Sequence, residues 1–173
     1  MTQSIEENVR HLVKDVAGRF IEQELVLATA ESCTGGWIAQ VVTSLPGSSR
    51  WFDCGFVTYS NSAKQKLLGV PAGLLEENGP GAVSEETVRA MAAGAIAASS
   101  ADVAVVTSGI AGPDGGSEEK PVGTVWFAWA HRDGRCKARI HHFDGDRYSV
   151  RLQSVEQAFK GIIELLDTTM LSR

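Results

Sequence analysis

Two short stretches of this chain, residues 25–30 (LVLATA) and 102–107 (DVAVVT), are almost unbroken in apolar side chains. A strand that buries one face alternates apolar with polar residues, so an unbroken run has to bury both faces. A sheet built on such strands needs helices above and below it. The segments around them supply these helices. Ile5, Val9, Leu12, Val13, Val16 and Phe20 recur at helical spacing, and Tyr148, Leu152, Val155, Phe159, Ile162 and Leu166 do the same near the other end, in a helix expected to start near Asp146. Shorter helices are predicted at residues 37–42, at 61–68 with Asn61 as the cap, and at 85–99 with Ser84 as the cap and small residues for close packing. Residues 51–59 read as another strand, and residues 124–130 and 137–143 flank Asp133-Gly134 as a hairpin. The predicted fold class is α/β, a three-layer α/β/α sandwich with a mixed, mainly parallel sheet.

A chain of 173 residues has the length of one domain, and with no linker or internal repeat residues 1–173 are expected to form a single unit. The formal charge of -5 opposes a broad nucleic-acid footprint, which needs a concentrated positive field. An anionic ligand would have to be held by local donors. No apolar run approaches the roughly 18 residues of a membrane span, and the polar first ten residues do not resemble a secretion signal, so a cytoplasmic protein without membrane partners is expected. Cys33, Cys54 and Cys136 are odd in number and widely spaced, which argues against a disulfide framework or a zinc site.

The residues able to carry chemistry cluster where strands end. Ser32 follows the first buried run in the turn Glu31-Ser32-Cys33-Thr34-Gly35-Gly36, directly before a helix. A serine there is either an N-cap or a nucleophile standing clear of the sheet, with the N–H groups of Thr34, Gly35 or Gly36 as oxyanion donors. Cys33 is a rival nucleophile. The four histidines have structural or solvated settings, so the base for Ser32 is sought in Tyr59-Ser60-Asn61-Ser62-Ala63-Lys64. A buried lysine can lose its proton and accept one from serine; the alternative for Lys64 is an ordinary surface lysine. The Gly/Pro-rich segment 108–123, which opens with Ser108 and Gly109, follows the second buried run and suits either a ligand cradle or a plain connection. Arg147, beside a helix start, is a candidate phosphate clamp or an exposed arginine, and Asp144 and Asp146 admit a metal-dependent phosphohydrolase as a rival reading.

Taken together, Ala30 to Gly36, Gly55 to Asn61 with Lys64, Gly81 to Ser84 and the segment 108–123 occur in one order that resembles the CinA C-terminal domain family of nicotinamide-nucleotide amidohydrolases. The resemblance runs from about residue 5 to 170, in what looks like the stand-alone form. It implies deamidation of nicotinamide mononucleotide to nicotinate mononucleotide and ammonia in pyridine nucleotide recycling, without cofactor or metal. Carried onto this sequence, it implies Ser32 as nucleophile through an acyl-enzyme, with Tyr59 and Lys64 for acid/base work, similar to the Ser-Lys-Tyr arrangement of some β-lactamases. Combined with position at strand ends, it makes Thr34, Gly35, Gly36, Asn61, Ser108, Gly109 and Arg147 candidate substrate contacts. A non-catalytic nucleotide-binding or regulatory module linked to competence or DNA damage is the alternative, and homo-oligomerisation is left open.

Overall fold

The computed structural model describes residues 4–170. Helix α1 (Ile5–Glu22) opens on a reciprocal cap, in which the Ser4 hydroxyl accepts from Glu7 N–H and the Glu7 carboxyl accepts from Ser4 N–H. Strand β1 (Leu27–Glu31) follows, buried at every position as its composition requires. Then come α2 (Trp37–Thr43), a single 3-10 turn (Ser48–Arg50), β2 (Phe52–Val57), α3 (Asn61–Leu68), α4 (Ala72–Leu75), α5 (Glu85–Ala97), β3 (Val103–Gly109), β4 (Thr124–His131), β5 (Cys136–His142) and α6 (Arg147–Met170).

The sheet has the order β2-β1-β3-β4-β5. β1 pairs in parallel with both β2 and β3, whereas β4 is antiparallel to both its neighbours, so four of the five strands share one direction. The mixed α/β sandwich expected from the two buried runs is what forms. On one face, α1, α2 and α6 pack onto Leu27, Val103, Val105, Val125, Phe127 and Trp129. On the other, α5 and the residues around α3 and α4 cover Ala30, Ala104, Val106, Ala128 and Ala130. The small side chains on that second face let α5 lie close, and Gly94 of α5 allows α3 closer still. A Cβ on Gly94 would run into the Leu68 carbonyl.

Three expectations need correction. The cap of α3 is Ser60, whose hydroxyl accepts from Ala63 N–H at 3.1 Å; Asn61 is the first helical residue, because it is Ser60 that has extended backbone angles. The second buried run continues two residues further than expected, so Ser108 and Gly109 end β3 and do not open a loop. The four-residue α4 was not foreseen at all.

Candidate active site

Parallel strands put their carboxyl ends side by side, and here β1, β2 and β3 do so with the register Val57–Glu31–Thr107. One residue further on, Thr58, Ser32 and Ser108 form the next row. Side chains alternate between sheet faces, so this row points to the α3/α5 side while Glu31 and Thr107 point to the α2 side. The row borders a cavity of about 280 Å3 lined by Ser32, Cys33, Tyr59, Asn61, Lys64, Ser108, Gly109, Asp114 and Arg147 among others. Seven of the ten candidate residues therefore meet at one place; Thr34, Gly35 and Gly36 do not line it.

Lys64 reaches Ser32 from α3. It stands four residues before Leu68, on the helix stripe that faces the sheet, where an apolar residue would be expected. Its side chain is 1% exposed, and Nζ lies 3.1 Å from Ser32 Oγ, 2.8 Å from the Thr58 carbonyl and 3.3 Å from the Tyr59 carbonyl. Among the described residues no carboxylate forms an ion pair with it. Burial without a counter-charge disfavours the ammonium and lowers the pKa below the usual lysine value. A neutral amine has two N–H donors and one lone pair. In that form the two carbonyls would take the donors and leave the lone pair for the Ser32 hydroxyl proton.

Tyr59 joins this arrangement by its backbone. The residue is 60% exposed, and its phenol accepts from Arg147 Nη2 at 3.0 Å and contacts neither Ser32 nor Lys64 by a hydrogen bond. Arg147 also donates to the Gly112 carbonyl at 2.8 Å, so this guanidinium ties the mouth of the cavity together from α6. Three of its five N–H donors are left over for a ligand.

The turn after Ser32 departs from expectation in an informative way. The amide of Gly36 does not face the cavity; it donates to Glu31 Oε2 at 3.1 Å, and the amides of Ile38 and Ala39 donate to the same carboxyl at 3.0 and 2.9 Å. Thr34 Oγ1 adds a fourth bond at 2.7 Å and in turn accepts from Thr107. Gly35 N–H is used within the turn, on the Ser32 carbonyl. The Gly36 amide is thus taken by the protein's own buried carboxyl and the Gly35 amide by the Ser32 carbonyl, so neither is open to a ligand. Of the turn's amides, those of Cys33 and Thr34 have no backbone partner, and of these two residues only Cys33 lines the cavity. Glu31 was missed as a site residue, although an acidic residue closing an apolar strand is itself a signal that donors must be waiting for it. Arg151 was missed too. From α6 it donates to the carbonyls of Cys33 and Thr34 at 3.1 and 2.9 Å while lying over Trp37.

The rivals to Ser32 fare differently. The Cys33 thiol is pushed up to about 12, chiefly by burial, and stays protonated at neutral pH. None of the four histidines lines the cavity. Asp146 accepts from Ser149 N–H at 2.8 Å as the cap of α6, and among the described residues no three His, Cys, Asp or Glu side chains converge on a metal position.

A serine hydroxyl, a buried amine and an arginine at the rim can be compared with known proteins. The sequence pattern of the CinA C-terminal domain matches residues 9–166. This chain belongs to the CinA C-terminal domain family. The CinA domain described here is 62% identical over 125 residues to a protein of Enterobacter agglomerans named nicotinamide-nucleotide amidohydrolase PncC, covering 72% of this chain and 75% of that one. A protein of the same name from Escherichia coli K12 is 57% identical over 78% of this chain and 80% of its own length. Among solved structures, the competence/damage inducible protein CihA of Agrobacterium tumefaciens superposes with a TM-score of 0.87 at 43% identity, over 91% of this chain and 95% of that one. No helix among the described residues is long and apolar enough to cross a membrane.

Proposed function

We propose that this CinA domain hydrolyses the carboxamide of nicotinamide mononucleotide, giving nicotinate mononucleotide and ammonia, with Ser32 as nucleophile. One observation carries the mechanism: the buried amine of Lys64 has its N–H donors committed to two carbonyls and its remaining position 3.1 Å from Ser32 Oγ. The substrate is carried by relatives above half identity that bear the amidohydrolase name.

In this reading Ser32 Oγ attacks the carboxamide carbon as its proton moves to Lys64 Nζ. The oxyanion is met by Cys33 N–H. When the C–N bond breaks, the proton held on Lys64 passes to the leaving nitrogen, which departs as ammonia. Water then attacks the acyl-enzyme, losing a proton to the same amine, and Ser32 regains its proton as the carboxylate is released. Tyr59 acts by holding Lys64 through its carbonyl and by fixing Arg147 through its phenol. Arg147 meets the phosphate, with Asn61 and Gly109 lining the path between. The setting is the cytoplasm, with a small-molecule substrate as the only partner required.

Ammonia release from nicotinamide mononucleotide by the purified chain tests this. Ser32→Ala should lose several powers of ten in rate. Cys33→Ala should keep most of it. An active Ser32→Ala with an inactive Cys33→Ala would transfer the nucleophile to the thiol.

A further inference from the structure

Ser108 stands beside the nucleophile with nothing in the mechanism above assigned to it. It ends β3, in the row Thr58–Ser32–Ser108 that the register directs to the cavity side of the sheet. Adjacent strands are about 4.8 Å apart, so a group bonded to Ser32 lies within reach of a hydroxyl one strand away. Ser108 is 1% exposed, and what remains accessible lines the cavity.

Its hydrogen-bonding character is fixed. Ser108 Oγ donates to the Ala82 carbonyl at 2.7 Å. A carbonyl only accepts, so the single hydroxyl proton is spent there, and Ser108 offers the cavity lone pairs alone. The partner segment cannot swing away to release that proton. Its Pro80 carbonyl is held by Lys120 Nζ at 2.7 Å, and its Gly81 carbonyl by the hydroxyls of Ser84 and Thr87, also at 2.7 Å.

We propose that Ser108 is the residue that tells carboxamide from carboxylate: its Oγ accepts an N–H of the substrate amide and repels the carboxylate oxygen that takes that position in the product. The inference rests on the amidohydrolase reading and deepens it. The substrate amide carries a donor where the product carries a second acceptor, and an acceptor that cannot become a donor distinguishes the two. One contact would then orient the amide nitrogen for departure and help to expel the acid.

The test uses the full chain and two constants, the KM for nicotinamide mononucleotide and the inhibition constant of nicotinate mononucleotide. Wild type should bind the acid clearly more weakly than the amide. Ser108→Ala should narrow that ratio about fivefold to tenfold, from weaker amide binding together with tighter acid binding. If Ser108→Ala unfolds because Ala82 is untethered, Ser108→Cys keeps the shape with a poor acceptor and should narrow the ratio likewise. Lower activity with an unchanged ratio in a folded variant overturns the assignment and leaves a structural tether. A wild-type chain that releases no ammonia from the mononucleotide overturns the amidohydrolase reading itself, and the inference falls with it.

Discussion

At the scale of single residues, the Lys64 amine makes the firmest statement about pH. In the proposed mechanism the neutral form is the working form, so the rate should fall as pH drops through its lowered pKa, and Lys64→Arg, which cannot give up its proton at accessible pH, should be nearly inactive. The same shift has a thermodynamic sign. Because the folded-state pKa lies below the unfolded one, the unfolded chain binds more protons between the two values, and folding stability rises with pH across that window. Compared with Lys64→Met, whose position 64 does not titrate, wild type should therefore lose relative stability as pH falls from about 10 towards neutrality. Thermal unfolding of both proteins across that range measures the difference, and a pH-independent gap would show that the amine stays charged.

At the scale of elements, a strand, a turn and a helix are joined by one side chain. The carboxyl of Glu31 accepts the amides of Gly36, Ile38 and Ala39 and the Thr34 hydroxyl, so it does for α2 what an N-cap side chain does elsewhere, and the N-cap residue Gly36 has no side chain of its own. Glu31→Gln keeps the shape but turns an amide group towards Ala39 N–H, and a loss of about 1–3 kcal/mol is expected in urea unfolding. The elements differ in how far the chain betrays them. β1 and β3 are unmistakable because burial on both faces leaves no polar position, and the hairpin is set by Asp133-Gly134, where Gly134 takes a positive φ of 102°. α4 leaves no trace, since four residues span barely one turn and have no periodicity to show. Ser60 and Asn61 are both good caps, and composition cannot choose between neighbours when backbone angles decide. Ser32 and Lys64 are linked in the sequence by the lack of a suitable histidine and by the family resemblance, whereas the contact itself, between residues 32 apart, depends on how α3 docks. The Gly36 amide looks open to a ligand only when the turn is read without the carboxyl that precedes it.

At the scale of the whole molecule, a chain of net charge -5 attracts no phosphate from a distance. In the proposed reading, recognition falls to short-range donors, and Arg147, bridging Gly112 and Tyr59 at the rim, supplies them. A charge-assisted contact contributes about 1.5–3 kcal/mol, roughly tenfold to a hundredfold in kcat/KM. Nicotinamide riboside and free nicotinamide should accordingly be poor substrates. Arg147→Ala should reduce turnover of the mononucleotide by that factor and leave the riboside nearly unaffected. An equal loss on both would mean that the arginine merely braces Tyr59 and the loop.

The order β2-β1-β3-β4-β5 gives β1, the strand that leads to Ser32, a neighbour on each side and a helical layer on each face. Amide protons in such a position exchange with solvent only through openings close to global unfolding, whereas the outer strands and chain ends open more cheaply. In hydrogen–deuterium exchange, the amides of Ala28 to Ala30 should be among the slowest in the protein. Catalytic competence should then have no fraying step of its own, and in rising urea the loss of ammonia release should coincide with loss of the fold, with no inactive but folded form in between.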